Sequence, residues 1–262
     1  MDLDPRLHKY DFVNLGFLED EDIVLDLAAL QIASLDHPNH SFGTLIDLLA
    51  GMAAELARIV TPKQTAARQA MALEGTFMRR GFRGMTEPHV RSADIFRALA
   101  SRQGAPLALA ILYIATARRA GLTAVLLDTT TGVFIRLGSE EDEAVFAVDA
   151  TGVFRPVSLA QDGQDPRVWL APTTNRMTLV RLLENEADMV EIHGDVERAI
   201  ALRSRITKVA PTHAKAWINK ARVDERAGRP FQAKESLIAA LETTRDSTLR
   251  RMLKSKIAYH MS

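Results

Sequence analysis

The 262-residue sequence predicts an α+β fold followed by an all-α tail. Three observations carry this. Residues 104–121, GAPLALAILYIATARRAG, read as one helix that is apolar on nearly every side, and such a helix belongs inside a core. Directly after it the hydrophobic period shortens from helical to strand-like. From residue 173 the helical period returns and then repeats itself. Helices followed by strands at hairpin spacing point to α+β rather than to alternating α/β units.

Taken in order, residues 1–15 read as irregular. Residues 20–34 (DEDIVLDLAALQIAS) form a helix with acidic residues in its first turn. Asp36-His37-Pro38-Asn39-His40 breaks it with turn chemistry. Residues 42–60 form a second helix, with Leu45, Ile46, Leu48, Leu49, Met52, Leu56 and Ile59 as its apolar stripe. Thr61 and Pro62 read as the cap and first turn of a third helix, which runs to Arg80 and stops at Gly81-Phe82-Arg83-Gly84. Ser92-Ala93-Asp94 opens a short helix through Ala100. In the central helix Pro106 suits the first turn, Arg118 and Arg119 suit the last, and Gly121 suits the left-handed cap. Residues 123–128, 133–137 and 144–149 read as strands of a small antiparallel sheet. Residues 151–172 read as a loop with a short helix at 158–161.

The tail carries a repeat. Gly194 and Gly228 lie 34 residues apart, and so do Ala199 and Ala233. This is tetratricopeptide spacing. With repeats starting at 180 and 214, the glycines fall in the turn within each repeat and the alanines where its two helices cross. Pro211 closes the first repeat, Trp217 takes an early aromatic position in the second, and residues 245–260 cap the array. Asp224 stands where an aromatic is usual. The expected domains are therefore 1–172 and 173–262.

Composition narrows the function. Hydrophobic content of 47% and charged content of 25% are ordinary for a globular chain. There is no cysteine, which excludes disulfides, thiolate metal sites and thiol nucleophiles together. The charged N-terminus lacks a signal-peptide run, and no apolar run is long enough to span a bilayer, so a cytoplasmic protein without membrane contact is expected. Of the 33 Lys and Arg and 33 Asp and Glu, residues 173–262 hold 17 and 11. That excess is too small to point to nucleic acid. No cofactor and no metal is expected.

Residues 25–259 resemble the SirB-type family, a transglutaminase-like domain with a tetratricopeptide-like tail. The resemblance rests on Asp26–Ala33 with Asp36-His37-Pro38, on the GFRG turn at 81–84, and above all on the block from Gly104 to Leu122. Thr131-Gly132-Val133-Phe134-Ile135-Arg136 corresponds to the family's PGHF strand and Val148-Asp149-Ala150 to its DPF turn. The resemblance implies a papain-like core and a Cys–His–Asp triad. Here the triad positions are Pro106, Val133 and Asp149. Pro106 carries no nucleophile and Val133 moves no proton, so only the orienting carboxylate remains. The resemblance thus implies a pseudoenzyme.

Other residues deserve weighing. His37 and His40 have HxxH spacing, but in a proline turn without a third ligand, and they read as turn residues. His89, near Glu87, Arg91 and Ser92, is a weak candidate for a His–Ser couple. Arg83 reads as a partner in a structural ion pair, and residues 140–143 as a solvated hairpin tip. In the tail, Asn185, Asp188, Lys215, Ile218, Asn219, Arg222 and Arg226 fall on the expected groove face and are the candidate partner-binding residues. The function expected is a non-catalytic interaction or regulatory protein that holds a protein or peptide. The alternative is a hydrolase or acyltransferase with a non-cysteine site in the same cleft.

Overall fold

A computed structural model describes residues 4–85, 94–129, 132–139, 142–157 and 171–259. The chain forms two compact units, Met1–Tyr10 with Glu19–Thr178, and Asp11–Leu18 with Leu179–Ser262.

The first unit opens with a 3-10 turn, Pro5–Tyr10, whose Leu7 and Tyr10 are buried, where the sequence suggests irregular chain. Helices α2 (Leu25–Ser34), α3 (Gly43–Ile59), α4 (Ala66–Arg79), α5 (Ile95–Ser101) and α6 (Pro106–Arg119) follow. α2 begins five residues later than its period suggests. Asp20 is drawn away, because its carboxylate accepts the backbone N–H groups of Asn175 (2.9 Å) and Arg176 (2.8 Å). Both N–H groups lie in the first turn of helix α7 (Asn175–Ile192), where the helix has no carbonyl of its own to offer them. Helix α4 also starts late. Thr65, not Thr61, caps it by accepting from Arg68 N–H, while Thr61 N–H bonds the Gln64 side chain.

Helix α6 is the centre of this unit. Every residue from Leu107 to Ala117 is buried, and Pro106 occupies its first turn. Gly121, at φ 82°, ends it in the left-handed region that glycine tolerates. Rings tie α6 to both sides. Tyr113 packs on Phe77 of α4 (4.3 Å) and on Phe154 (4.5 Å), and Phe154 meets Phe146 (6.0 Å).

The sheet is antiparallel, in the order β3 (Ala124–Leu126), β4 (Phe134–Ser139), β5 (Asp142–Val148), β6 (Phe154–Pro156). The strand β6 falls where the sequence suggests loop; it pairs Phe146 with Pro156 and Val148 with Phe154. The helix suggested at 158–161 lies outside the described residues. A two-residue parallel pair, β1 (Arg83–Gly84) and β2 (Gln103–Gly104), leads into α6. Residues 140 and 141 lie outside the described residues, and Asp142 is exposed but also engaged. Its carboxylate accepts Ala66 N–H at the head of α4 (3.0 Å), and Glu143 pairs with Arg136 (3.3 Å).

The second unit contains a short helix, α1 (Phe12–Leu15), and helical hairpins built from α7, α8 (Val196–Val209), α9 (Ala214–Arg226), α10 (Pro230–Thr243) and α11 (Ser247–Tyr259). α1 packs on α8 closely enough that a Cβ at Gly16 would strike the Lys208 carbonyl. The turns before α8 and α10 contain Gly194 (φ 80°) and Gly228 (φ 70°). Ala199 and Ala233, five residues beyond each glycine, are both 0% exposed. Trp217 donates its indole N–H to the Pro211 carbonyl (2.8 Å). Asp224 is buried because Lys220 reaches it at 2.7 Å and also donates to Ser236. An ion pair has taken the place of an aromatic contact.

Candidate functional site

The candidate site is built by α6, the β4–β5 pair and the turn after β5. Val133 and Asp149 are brought together by register. Phe134 pairs with Ala147, and the Val133 carbonyl accepts Val148 N–H (2.8 Å), which places Val133 one residue from Asp149 across the ladder. α6 approaches from the other side. The Tyr113 hydroxyl donates to the Gly152 carbonyl (2.7 Å). A Cβ at Gly152 would crowd Leu109 of α6 at 2.8 Å. Gly84 also meets this turn. Its N–H donates to the Thr151 carbonyl (2.7 Å), and any Cβ there would collide with the Ala150 carbonyl. So α6, β1 and the Asp149 turn meet with backbone in contact, which is why glycine stands at both 84 and 152.

The chemistry of this site is subdued. Pro106 and Val133 are half-buried and carry no titratable atom. The Asp149 carboxylate is engaged within its own turn. One oxygen accepts Thr151 N–H (2.8 Å), Thr151 Oγ1–H (2.5 Å) and Val153 N–H (3.2 Å), and the other accepts Arg155 Nε–H (2.5 Å). Burial pushes its pKa up, but the bonds from Thr151 and Arg155 outweigh this and hold the carboxyl well below the ordinary aspartate range. Nearby polar groups are engaged too. Glu74 accepts Phe154 N–H (3.1 Å). Burial, with Glu74 and Asp149 adding negative charge, pushes the Tyr113 hydroxyl up, so it stays protonated as a donor.

A second pair was not found by sequence reasoning. His37 Nε2 lies 2.6 Å from Asp94 Oδ2, both side chains are 9% exposed, and the imidazole stacks on Phe96 (4.2 Å). Asp94 also caps α5 by accepting Arg97 N–H (3.2 Å). The pair clasps the turn after α2 to the start of α5. His40 meets the Phe96 ring edge-on (4.9 Å) and is exposed. The signal available was His37 ahead of a proline and Asp94 ahead of a helix, 57 residues apart, and nothing in the sequence joined them. Among the described residues no group of three metal-ligating side chains converges. His89, Glu87, Arg91 and Ser92 lie outside them. Among the described residues no ion pair is found at Arg83, where the sequence suggests one. With the Gln103 amide oxygen turned towards it, Arg83 donates through Nε (2.9 Å) and Nη2 to this neutral partner, because β1 and β2 set the two residues side by side.

In the second unit the sequence-selected residues have unequal settings. Glu191 collects Arg222 (3.0 Å), Arg226 (3.2 Å) and the fully buried Arg203 (2.6 Å), and Asp188 also pairs with Arg203. Asn219 donates to Glu184 (3.3 Å). Ile218 is half-buried against the core formed by Ala221, Ala233, Leu237, Ala240 and Leu253, so it does not belong to an open face. Asn185 and Lys215 are exposed. The hub at Glu191 and Arg203 was missed because its members come from three helices.

A buried helix set against a small antiparallel sheet, with the turn after β5 packed on that helix, defines a transglutaminase-like class of domain. The model of the transglutaminase-like superfamily matches residues 44–184, more than half of the chain, and the chain belongs to that superfamily. No curated protein matches it. No helix among the described residues is long and apolar enough to cross a membrane.

Proposed function

We propose that this is a non-catalytic interaction or regulatory protein: a SirB-type pseudo-transglutaminase core joined to a tetratricopeptide-like tail that holds a protein or peptide. The observation that carries this reading is the state of Asp149. In a working triad that carboxylate holds the imidazole through its N–H and stabilises the cation that forms. Here it is engaged by Thr151, Val153 and Arg155, and the position beside it is Val133. The absence of any cysteine supports the same reading. So do the engaged Glu74 and Tyr113, since a hydrolase using other residues would need polar groups left free to meet a substrate. The 34-residue recurrence of a left-handed glycine and a buried alanine supports the tetratricopeptide-like reading of the tail. Within it, Asn185 and Lys215 are the exposed residues left to meet a partner, and Asp188, Asn219, Arg222 and Arg226 are oriented by their bonds.

The test is an assay of the purified chain against glutamine-peptide acyl donors and activated esters, alongside the Asp149→Ala variant. Both should match the buffer rate. Turnover that disappears in the variant would overturn the reading.

A further inference from the structure

Helix α10 has an inner face that the fold explains and an outer face that it does not. Ala233, Leu237 and Ala240 are buried in the core formed with Ala221 and Leu253. On the opposite side Phe231, Glu235, Ile238 and Glu242 follow one another at steps of four, three and four residues. At 3.6 residues per turn they lie within about 60° of one another and share a single row. Phe231 is 67% exposed and Ile238 38% exposed. Both glutamates are exposed. Residues 179–262 hold 11 Asp and Glu, and nine are engaged inside the fold, in pairs such as Glu191 with Arg203 or on helix N–H groups, as Asp246 is with Leu249. Glu235 and Glu242 are the other two, and among the described residues neither meets a cation or a hydrogen-bond donor. Lys234 flanks the row, half-buried, and leaves it net acidic. The repeat supplies a comparison. Shifted by the 34 residues that separate Gly194 from Gly228, the row falls on Glu197, Ala201, Ser204 and Lys208 of α8. That row carries no large apolar side chain, and its Glu197 pairs with Arg229 (2.5 Å). The exposed hydrophobics and unpaired acids of α10 are therefore not needed to build a repeat.

We infer that the outer face of α10 docks a basic amphipathic helix of a partner protein, with apolar side chains on Phe231 and Ile238 and Lys or Arg on Glu235 and Glu242. Apolar and acidic side chains alternate along about 16 Å of the row. A partner helix meets it by carrying apolar and basic residues at the same spacing of four and three. Charge complementarity selects a cationic partner. It also selects protein, because unpaired carboxylates repel the phosphates of nucleic acid and of anionic lipid headgroups. Phe231 is the anchor, since a large aromatic side chain left in water gains most from being covered. The inference rests neither on the cleft nor on Asn185 and Lys215.

The experiment is fluorescence anisotropy of the full chain with a labelled helical peptide of Leu and Lys at that spacing. It is repeated at about 50 and about 300 mM salt, between which the screening length shortens markedly. Binding is expected, weakening with salt. F231S/I238S should lose about tenfold or more at both salt concentrations. E235Q/E242Q, a neutral change on the same exposed row, should bind more weakly at low salt and lose most of the salt dependence. E235K/E242K should switch preference to a peptide of Leu and Glu. A Leu-free polylysine should bind wild type more weakly and not respond to F231S/I238S. No binding by the wild-type chain, equal binding by wild type and F231S/I238S, an unchanged salt dependence in E235Q/E242Q, or tighter binding to a DNA duplex or to anionic vesicles than to the peptide would overturn the inference.

Discussion

The Tyr113 hydroxyl donates to the carbonyl of Gly152 across 2.7 Å of buried space, and this bond ties the centre of α6 to the turn that carries Asp149. Among the described residues it is the one side-chain hydrogen bond from α6 to that turn. Removing it by Tyr113→Phe leaves a buried carbonyl without its partner. A loss of about 1–3 kcal/mol is expected, measured by denaturant unfolding, with an unchanged far-ultraviolet circular dichroism spectrum.

Asp149 should show its engagement as a pH dependence. Its folded pKa is held below the ordinary 3.8. The folded state therefore binds fewer protons, and the stability this contributes is present above that ordinary value and lost as pH falls through the folded one. Asp149→Asn should cost about 1–2 kcal/mol at pH 7, discounted for the part-exposed side chain. The gap to wild type should shrink steadily below pH ~4. Unfolding midpoints across the acid range check this, and a gap independent of pH would contradict it.

Restoring a thiol should not restore chemistry. Pro106 stands in the first turn of α6, where a thiolate is favoured by the helix dipole. Because the chain has no other cysteine, P106C gives a single labelling site. Alkylation by iodoacetamide is expected, with no ester or amide turnover, because Val133 accepts no proton. Turnover by P106C alone would show that another base serves the cleft.

Glu191 is predicted to be the most sensitive residue of the second unit. Its loss leaves Arg203, whose side chain is 1% exposed, with only the exposed Asp188 as its carboxylate partner, and removes the carboxylate that Arg222 and Arg226 share. Glu191→Ala should cost about 3–5 kcal/mol, the range for breaking a buried ion pair. Glu191→Gln, which keeps an acceptor, should cost less. Unfolding of the full chain followed in urea reads both.

The α+β class, α6 with both its ends, the strands β3, β4 and β5, the left-handed Gly121 and the turn glycines 194 and 228 were legible in the sequence. Each is set by local rules: near-continuous apolarity from Leu107 to Ala117, a proline at the start, β-branched runs, glycine at positive φ. The start of α2 was not legible, because Asp20 answers to Asn175 and Arg176, 155 and 156 residues away. The start of α4 was hidden for the same reason, since Asp142 reaches Ala66 from the sheet. Pairing β6 and clasping His37 to Asp94 likewise required distant partners.

At the site the division is the same. Composition was enough to remove thiol chemistry, because the absence of cysteine is a fact of the chain alone. That Val133 stands one residue from Asp149 across the ladder follows from strand register. The closure of the Asp149 carboxylate by Thr151, Val153 and Arg155 follows from the turn geometry that β5 and β6 impose. Hydrogen bonds have direction and short reach, so the state of Asp149 was settled only when packing brought those donors to within 2.5–3.2 Å of it.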